Sequence, residues 1–357
     1  MPKCLLAALT AASLLLSGCS SMLNRDYTDI AVHNAAPTTE GNTSTLRAES
    51  YQELVNALLY LVSQHDESGS IRLYFESEDV EGELEAACLE VVQESPLGAY
   101  AVDFIKPSVS FVVSYYQADV QIQYRRSWEQ ISSIVSATGT SAIRSELEGA
   151  LDSFASECVL RISYFSEDEN YILSLFQEAY YATPGAALDM PELSVFIYPD
   201  SGRQRIVEIL LTYHLELNEL SRRKELLAQT CQELIAPLSS LTGDRQLTSA
   251  AQTVLQAGGY RPEGGATAYH ALVEGGANSE GLALAMALVC QELGRDFQIV
   301  RGTRNGEDHV WMVVSVQEGW RHADLSQWNG RSGLLLTDGE LETEGYDWDR
   351  EQTPACM

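Results

Sequence analysis

The stretch Ile71-Arg72-Leu73-Tyr74-Phe75 closes on Ser77-Glu78-Asp79, and 89 residues later Leu160-Arg161-Ile162-Ser163-Tyr164 closes on Ser166-Glu167-Asp168. A fixed offset of this kind constrains the fold strongly, because each copy must build the same supersecondary unit. The order of patterns around the copies agrees. An amphipathic helix comes first (51–63 and 141–156), then the short strand, then a second helix (80–93 and 170–182). A turn follows in each, Pro96-Leu97-Gly98-Ala99 against Pro184-Gly185-Ala186, and then β-rich sequence. In the second copy Pro199-Asp200-Ser201-Gly202 separates 193–198 from 205–215, which predicts a hairpin. In the first, Val109, Phe111, Val113, Val120 and Ile122 alternate along 108–116 and 118–125. Two repeated α/β units, 49–139 and 140–228, are the economical reading, each a little small to be stable alone. Neither holds a catalytic constellation; His65 and His214 read as capping or packing residues.

Ahead of the repeats, Lys3 precedes an apolar run ending at Leu16-Ser17-Gly18-Cys19, too short for a stable transmembrane helix. The run reads as an export signal over 1–19. Its end resembles the lipobox of bacterial lipoproteins, which implies a diacylated Cys19 as the first residue of the mature chain and the lipid bilayer as a partner. Residues 20–48 lack a hydrophobic period and are rich in small polar residues, which predicts a flexible tether. The chain is expected to be extracytoplasmic and lipid-anchored. Its formal net charge of -29 repels polyanions and argues against nucleic acid as a partner.

Without Cys4 and Cys19, five cysteines remain: Cys88, Cys158, Cys231, Cys290 and Cys356. None forms a Cys-x-x-Cys pair or has histidine at ligand spacing, so no metal site is expected, and their spacing leaves disulfide pairing open. No phosphate loop or cofactor motif occurs, and no cofactor is expected.

From Glu216 the pattern is helical to Leu238 and again over 246–256, until Gly258-Gly259 breaks it. A glycine-containing loop then opens a helix at Ser279-Glu280-Gly281-Leu282-Ala283, which runs to Glu292 and stops at Gly294. Asp308-His309-Val310-Trp311 and Gly319-Trp320-Arg321-His322-Ala323-Asp324 follow, so Ser279, His309 and Asp324 are spaced by 30 and 15 residues. Residues 297–302, 309–316 and 320–323 read as three successive antiparallel strands, which sets His309 and Asp324 side by side on the face the helix covers. A nucleophile at a helix N-terminus meets the positive end of the macrodipole and free N–H groups.

These motifs, over roughly 230–357, resemble the transglutaminase-like family of bacterial cysteine hydrolases and acyltransferases, a papain-like superfamily. The resemblance implies an α+β fold, with a helix packed on an antiparallel sheet in a transglutaminase-like domain over 229–357, preceded by the two repeated units. It also implies that Ser279 occupies the slot of the catalytic cysteine, with His309 and Asp324 in the other two triad positions. Asn278 and Glu280 flank the serine; Tyr269, Trp311, Trp320 and His322 are expected to line the cleft.

Serine changes the chemistry. A cysteine at such a position is largely ionised beforehand, whereas a serine must lose its proton during attack. The loss of transition-state stabilisation is roughly 4 kcal/mol or more. Three readings follow: an inactive relative binding a protein, a peptide or a peptidoglycan stem peptide in the retained cleft; an active Ser-His-Asp peptidase, amidase or acyltransferase; and a structural surface scaffold.

Overall fold

The computed structural model describes residues 45–75, 77–328 and 333–357; the export signal, Cys19 and most of the expected tether lie outside them. The chain divides into two compact units. The first comprises the residues up to Val92 with Asp103–Gln123, and the second comprises Gln93–Val102 with Tyr124–Met357.

In the first unit, β1 (Thr45–Ala48), α1 (Tyr51–Ser63), β2 (Ser68–Leu73), α2 (Val80–Gln93), β3 (Val102–Val112) and β4 (Tyr115–Tyr124) form a sheet of order β1-β2-β4-β3 with its helices. The Ser50 side chain caps α1 by accepting from the Glu53 N–H at 3.2 Å. Leu54, Leu58 and Leu61 then recur at helical spacing on its buried face.

The second unit opens with α3 (Pro96–Ala101), α4 (Trp128–Ser132), β5 (Val135–Ala137), α5 (Thr140–Asp152), β6 (Glu157–Ile162), α6 (Glu169–Ala182), β7 (Glu192–Tyr198) and β8 (Arg205–Thr212). Its first sheet runs β5-β6-β8-β7, the same order as the sheet of the first unit. β1 pairs parallel to β2 with Leu46 opposite Ile71, and β5 pairs parallel to β6 with Val135 opposite Leu160, so the 89-residue offset extends to these strands. The sequence reading placed Thr45–Ala48 inside the tether. Three or four residues carry too little periodicity to announce a strand, and parallel pairing supplies what local pattern does not.

The chain continues through α7 (Leu217–Ile235), a 3₁₀ turn at Ala236–Ser240, α8 (Gly243–Ala257), β9 (Gly259–Gly265), α9 (Ala268–Leu272), β10 (Gly276–Ala277) and α10 (Ser279–Glu292). It ends with β11 (Phe297–Arg304), β12 (Glu307–Val316), β13 (Gly319–Ala323), β14 (Leu335–Leu336), α11 (Asp338–Thr343) and β15 (Tyr346–Trp348). The last five strands form one antiparallel sheet of order β14-β13-β12-β11-β15. Asn305 and Gly306, both at positive φ, make the two-residue turn that sets Arg304 opposite Glu307. α10 is buried at every position from Gly281 to Cys290 and packs on β11 and β12. The fold is thus α+β, with an apolar helix laid on an antiparallel sheet.

Leu147 and Phe176 of the second repeat share one continuous core with Leu220, Leu247, Leu288 and Met312. The second repeat and the C-terminal region therefore form a single packed body. Among the described residues, no helix is long and apolar enough to cross a membrane.

Glu208, 2 % exposed, accepts from Arg126 Nη2 at 2.7 Å and from the Tyr198 hydroxyl at 3.2 Å. Glu157 lies within hydrogen-bonding reach of it, and burial, then the Glu208 charge, push the Glu157 carboxyl above the usual carboxylate range. A raised carboxyl pKa contributes stability that is present at low pH and is lost as pH rises above about 4.5 through the folded value. Glu157→Gln, which fixes the protonated shape, is expected to melt higher than wild type by a margin that widens from pH 5 to pH 8 in thermal scans.

Cys88, Cys158, Cys231, Cys290 and Cys356 are free thiols, each pushed up to about 12, chiefly by burial. Titration of the chain from Ser20 onward with a disulfide reagent at pH 7.5 is therefore expected to detect these thiols slowly while folded and rapidly in denaturant.

Candidate functional site

Ser279 is the first helical residue of α10. The Asn278 side chain caps the helix by accepting from the Gly281 N–H at 3.0 Å, and the Asn278 N–H donates to the Gly265 carbonyl at 3.1 Å. Glycine at 281 is a packing requirement: a Cβ there would come within 2.6 Å of the Gly265 carbonyl oxygen and 2.7 Å of Ala277 Cβ. The N–H groups of Ser279 and Glu280 have no acceptor within the helix, as at every helix start. Ser279 is half-buried, and among the described residues its hydroxyl makes no hydrogen bond, including none to His309.

Glu280 accepts from the Tyr181 hydroxyl of α6 at 2.8 Å. Burial, then the Glu280 charge, drives that phenol's pKa well above its ordinary value. Tyr181 is a site residue that the sequence reading missed, since nothing in a helical tyrosine 98 positions ahead of the serine marks it.

His309 Nε2 meets Asp324 Oδ2 at 2.7 Å, with both side chains under one-tenth exposed. Asp324 Oδ2 also accepts from the Tyr346 hydroxyl at 2.6 Å, and Oδ1 accepts from the Ser326 N–H at 2.8 Å and its hydroxyl at 2.7 Å. Burial alone would raise the Asp324 pKa, but the hydrogen bonds and charge of His309, with Tyr346 and Ser326, outweigh it and hold the carboxyl below its usual range. Because Nε2 is taken by the carboxylate, Nδ1 is the ring nitrogen left for other work. Neither Tyr346 nor Ser326 was expected at Asp324: one reaches it from the edge strand β15 and the other from the loop after β13.

The sequence expectation set this pair on the face covered by the helix. Val310, Met312 and Val314 instead pack with α10, while Trp311 and Val313 join Val300, Tyr346 and Trp348 in a separate cluster. His309, two residues from Trp311, stacks on that indole and packs edge-on to Tyr346. Alternation along β12 therefore puts the pair with the aromatic cluster.

The expected cleft residues also need correction. Trp311 and His322 are fully buried and Tyr269 is 5 % exposed, so these three line no open surface; Trp320 is half-buried beside the aromatic cluster. Asn278 and Glu280 do stand with Ser279 at the helix start, as capping and hydrogen-bonding residues.

His322, Asp338 and Cys356 bring donor atoms within 4.8 Å of one another. The Trp311 indole N–H, however, donates to His322 Nδ1 at 3.0 Å, which leaves the neutral ring's proton on Nε2, aimed at Asp338 Oδ1 2.9 Å away. That nitrogen then has no lone pair to give a metal. Burial lowers the His322 pKa, with Asp338 opposing. The Cys356 N–H also donates to the Asp338 carboxylate, and the Asp338 N–H donates back to the Cys356 carbonyl. The three residues form a latch on the last residues of the chain.

A cavity of about 180 Å³ adjoins the pair, lined by Asp324, Gln327, Trp328, Gly333, Leu336, Glu344 and Tyr346. Of the residues singled out in the sequence, only Asp324 lines it.

The chain matches no family model and no curated protein. Among solved structures it is similar to a TGase, at 13% identity and a TM-score of 0.29, over 67% of this chain and 68% of that one. It is also similar to a proposed cysteine protease from Cytophaga hutchinsonii, at 11% identity and a TM-score of 0.26, over 44% of this chain and 65% of that one. A proposed protease from Parabacteroides distasonis aligns at 8% identity and a TM-score of 0.20, over 76% of this chain and 45% of that one. The chain thus spans under two thirds of the second protein and under half of the third. At these scores the likeness transfers no activity.

Removing the Asp324 carboxylate strands the donors that converge on it. Asp324→Ala is expected to destabilise by about 3–5 kcal/mol in urea unfolding, and Tyr346→Phe by about 1 kcal/mol. The depressed Asp324 pKa contributes stability that is present above 3.8, its ordinary value, and is lost as pH falls through the folded value. Wild type should therefore lose part of its advantage over Asp324→Ala on acidification.

Proposed function

We propose that this protein is a lipid-anchored extracytoplasmic lipoprotein whose C-terminal region is a transglutaminase-like domain that binds peptide or cell-wall peptide chains without cleaving or cross-linking them. The observation that carries the reading is a serine at the start of α10 whose hydroxyl is unengaged among the described residues, in a region that also builds a buried His309–Asp324 pair. Serine has no store of anion near neutral pH, and the helix N-terminus that would hold a thiolate does little for a neutral hydroxyl. The cavity beside Asp324 gives the surface a place to hold a ligand.

A second reading, an active Ser-His-Asp hydrolase, draws on the orientation of His309 by Asp324. A fluorophosphonate probe separates the two. Wild-type protein should show no label at Ser279 above that of Ser279→Ala, and labelling that disappears in Ser279→Ala and His309→Ala would establish the hydrolase instead. In the binding reading the frame is intact, so the thiol introduced by Ser279→Cys should be alkylated by iodoacetamide at pH 7 at least tenfold faster than the five native thiols. Anchoring through Cys19 predicts incorporation of radiolabelled palmitate in bacterial cells, abolished by Cys19→Ala; equal incorporation in both would remove the anchor.

A further inference from the structure

The two repeated units close their long hairpins with opposite chemistry. In the second copy the turn between β7 and β8 is polar, and Gly202 takes a left-handed position at φ 104°. Moving back 89 residues from Gly202 gives Val113, in the turn between β3 and β4, whose φ of 53° is also positive. A β-branched residue is strained there, and glycine is not. Val113 is nonetheless 92 % exposed, so packing within the fold does not offset that strain, and Phe111 beside it is 64 % exposed.

The contrast extends along both hairpins. Residues 107–118 carry no charge, whereas the matching 196–207 include Asp200, Arg203 and Arg205. In a chain of formal net charge -29, the end of the β3–β4 hairpin is thus a place where an apolar surface meets no ionised group from 107–118. The Phe111 ring lies 5.0 Å from that of Tyr116 across the turn, so both strands contribute to one apolar end. Behind it stand Tyr115 and Tyr74, their rings 5.6 Å apart. Arg72 lies over the first ring, and Arg47, which also pairs with Glu49, lies over the second. An apolar end backed by tyrosines and arginines follows the order of chemistry from acyl chains through headgroups to water.

The entry of the chain brings a bilayer to the same end. Thr45 pairs with Ser70 and Ser70 with Asp119, five residues past Ser114 in the turn. Between Cys19 and Thr45 lie 25 residues, which span at most about 90 Å at full stretch. A lipid on Cys19 would therefore hold this hairpin within reach of the membrane.

We propose that the β3–β4 hairpin is a membrane-contacting element, with Val113 and Phe111 entering the acyl region of a bilayer and Tyr74, Tyr115 and Tyr116 at the level of its headgroups. This rests on the anchoring reading for the nearness of the bilayer. Two apolar side chains hold a membrane weakly by themselves, so the hairpin acts together with the lipid and orients the first unit on the surface.

The test places the chain from Ser20 onward, with an N-terminal hexahistidine tag, on phosphatidylcholine vesicles that contain a nickel-chelating lipid. A nitrobenzoxadiazole dye is attached at Ser114→Cys or, in the second hairpin, at Ser201→Cys, both exposed positions. The five native thiols, pushed up to about 12, react slowly by comparison. The dye at 114 is expected to shift to the blue and to be quenched about twofold by spin labels on the acyl chains, and the dye at 201 to do neither. Adding Val113→Gly to Ser114→Cys should abolish the quenching while the protein melts no lower than with valine, since glycine suits the backbone there. No quenching at 114, equal quenching at 114 and 201, or quenching that survives Val113→Gly overturns the proposal; the first of these would assign the exposed tip to a protein partner. Because the tag stands in for Cys19, failure here removes the hairpin contact alone, whereas failure of palmitate incorporation removes the anchor.

Discussion

One buried carboxylate ties together three separate parts of the C-terminal sheet. Asp324 accepts from His309 on β12, from Tyr346 on β15 and twice from Ser326 in the loop that leaves β13. Burial of this group would by itself favour the neutral acid, and only the convergence of donors reverses that preference. The carboxylate stays charged because each element brings its donor to it, and the charge in turn favours that arrangement. The orientation of the imidazole is a by-product: with Nε2 committed, the ring has one free nitrogen and one fixed plane.

Behind it lies a second histidine–carboxylate pair with a different purpose. Trp311 donates to His322, His322 to Asp338, and Asp338 gathers the backbone of Cys356. Between the two pairs, Trp311 packs edge-on to Tyr346 and to Trp348. β15 can lie this close to β11 because residue 302 is glycine: a Cβ would stand 2.2 Å from the Asp347 carbonyl oxygen and 2.8 Å from the Trp311 ring. The chain end thus braces the wall on which His309 rests, and Tyr346 delivers its hydroxyl to Asp324 from the braced strand.

Much of this was legible in the sequence wherever a periodic pattern or a short motif coincided with a local physical need. α1, α2 and α10 begin and end where apolar spacing and glycine punctuation put them. The meeting of His309 with Asp324 followed from counting strands: β12 and β13 set Met312 opposite Ala323, so Asp324 comes just past Trp311, two residues along from His309, within side-chain reach. What stayed hidden has no local signature. Strand β1 acquires its conformation from β2, and Tyr181 and Tyr346 reach the site from distant elements. The face of His309 was misjudged for a related reason. Strand order predicts neighbours, but the side that meets the helix depends on which alternate residues are apolar, and Val310, Met312 and Val314 claim it.

The duplication also gains meaning from the site. Moving back 89 positions from Tyr180-Tyr181 in α6 gives Val91-Val92 in α2, so the two copies diverge at the residues that in the second copy reach α10. Valine has no hydroxyl to offer a carboxylate, whereas Tyr181 supplies one to Glu280, next to Ser279. Tyr180 and Tyr181, together with Leu147 and Phe176, belong to the same core as α10. The second repeat is therefore a structural part of the candidate site, and the start of α10 owes its surroundings to a helix that the sequence pattern alone assigns to a different module. A cut at residue 229 would remove the only hydroxyl among the described residues that donates to Glu280, and it would expose the apolar flank of α10 that the repeat covers.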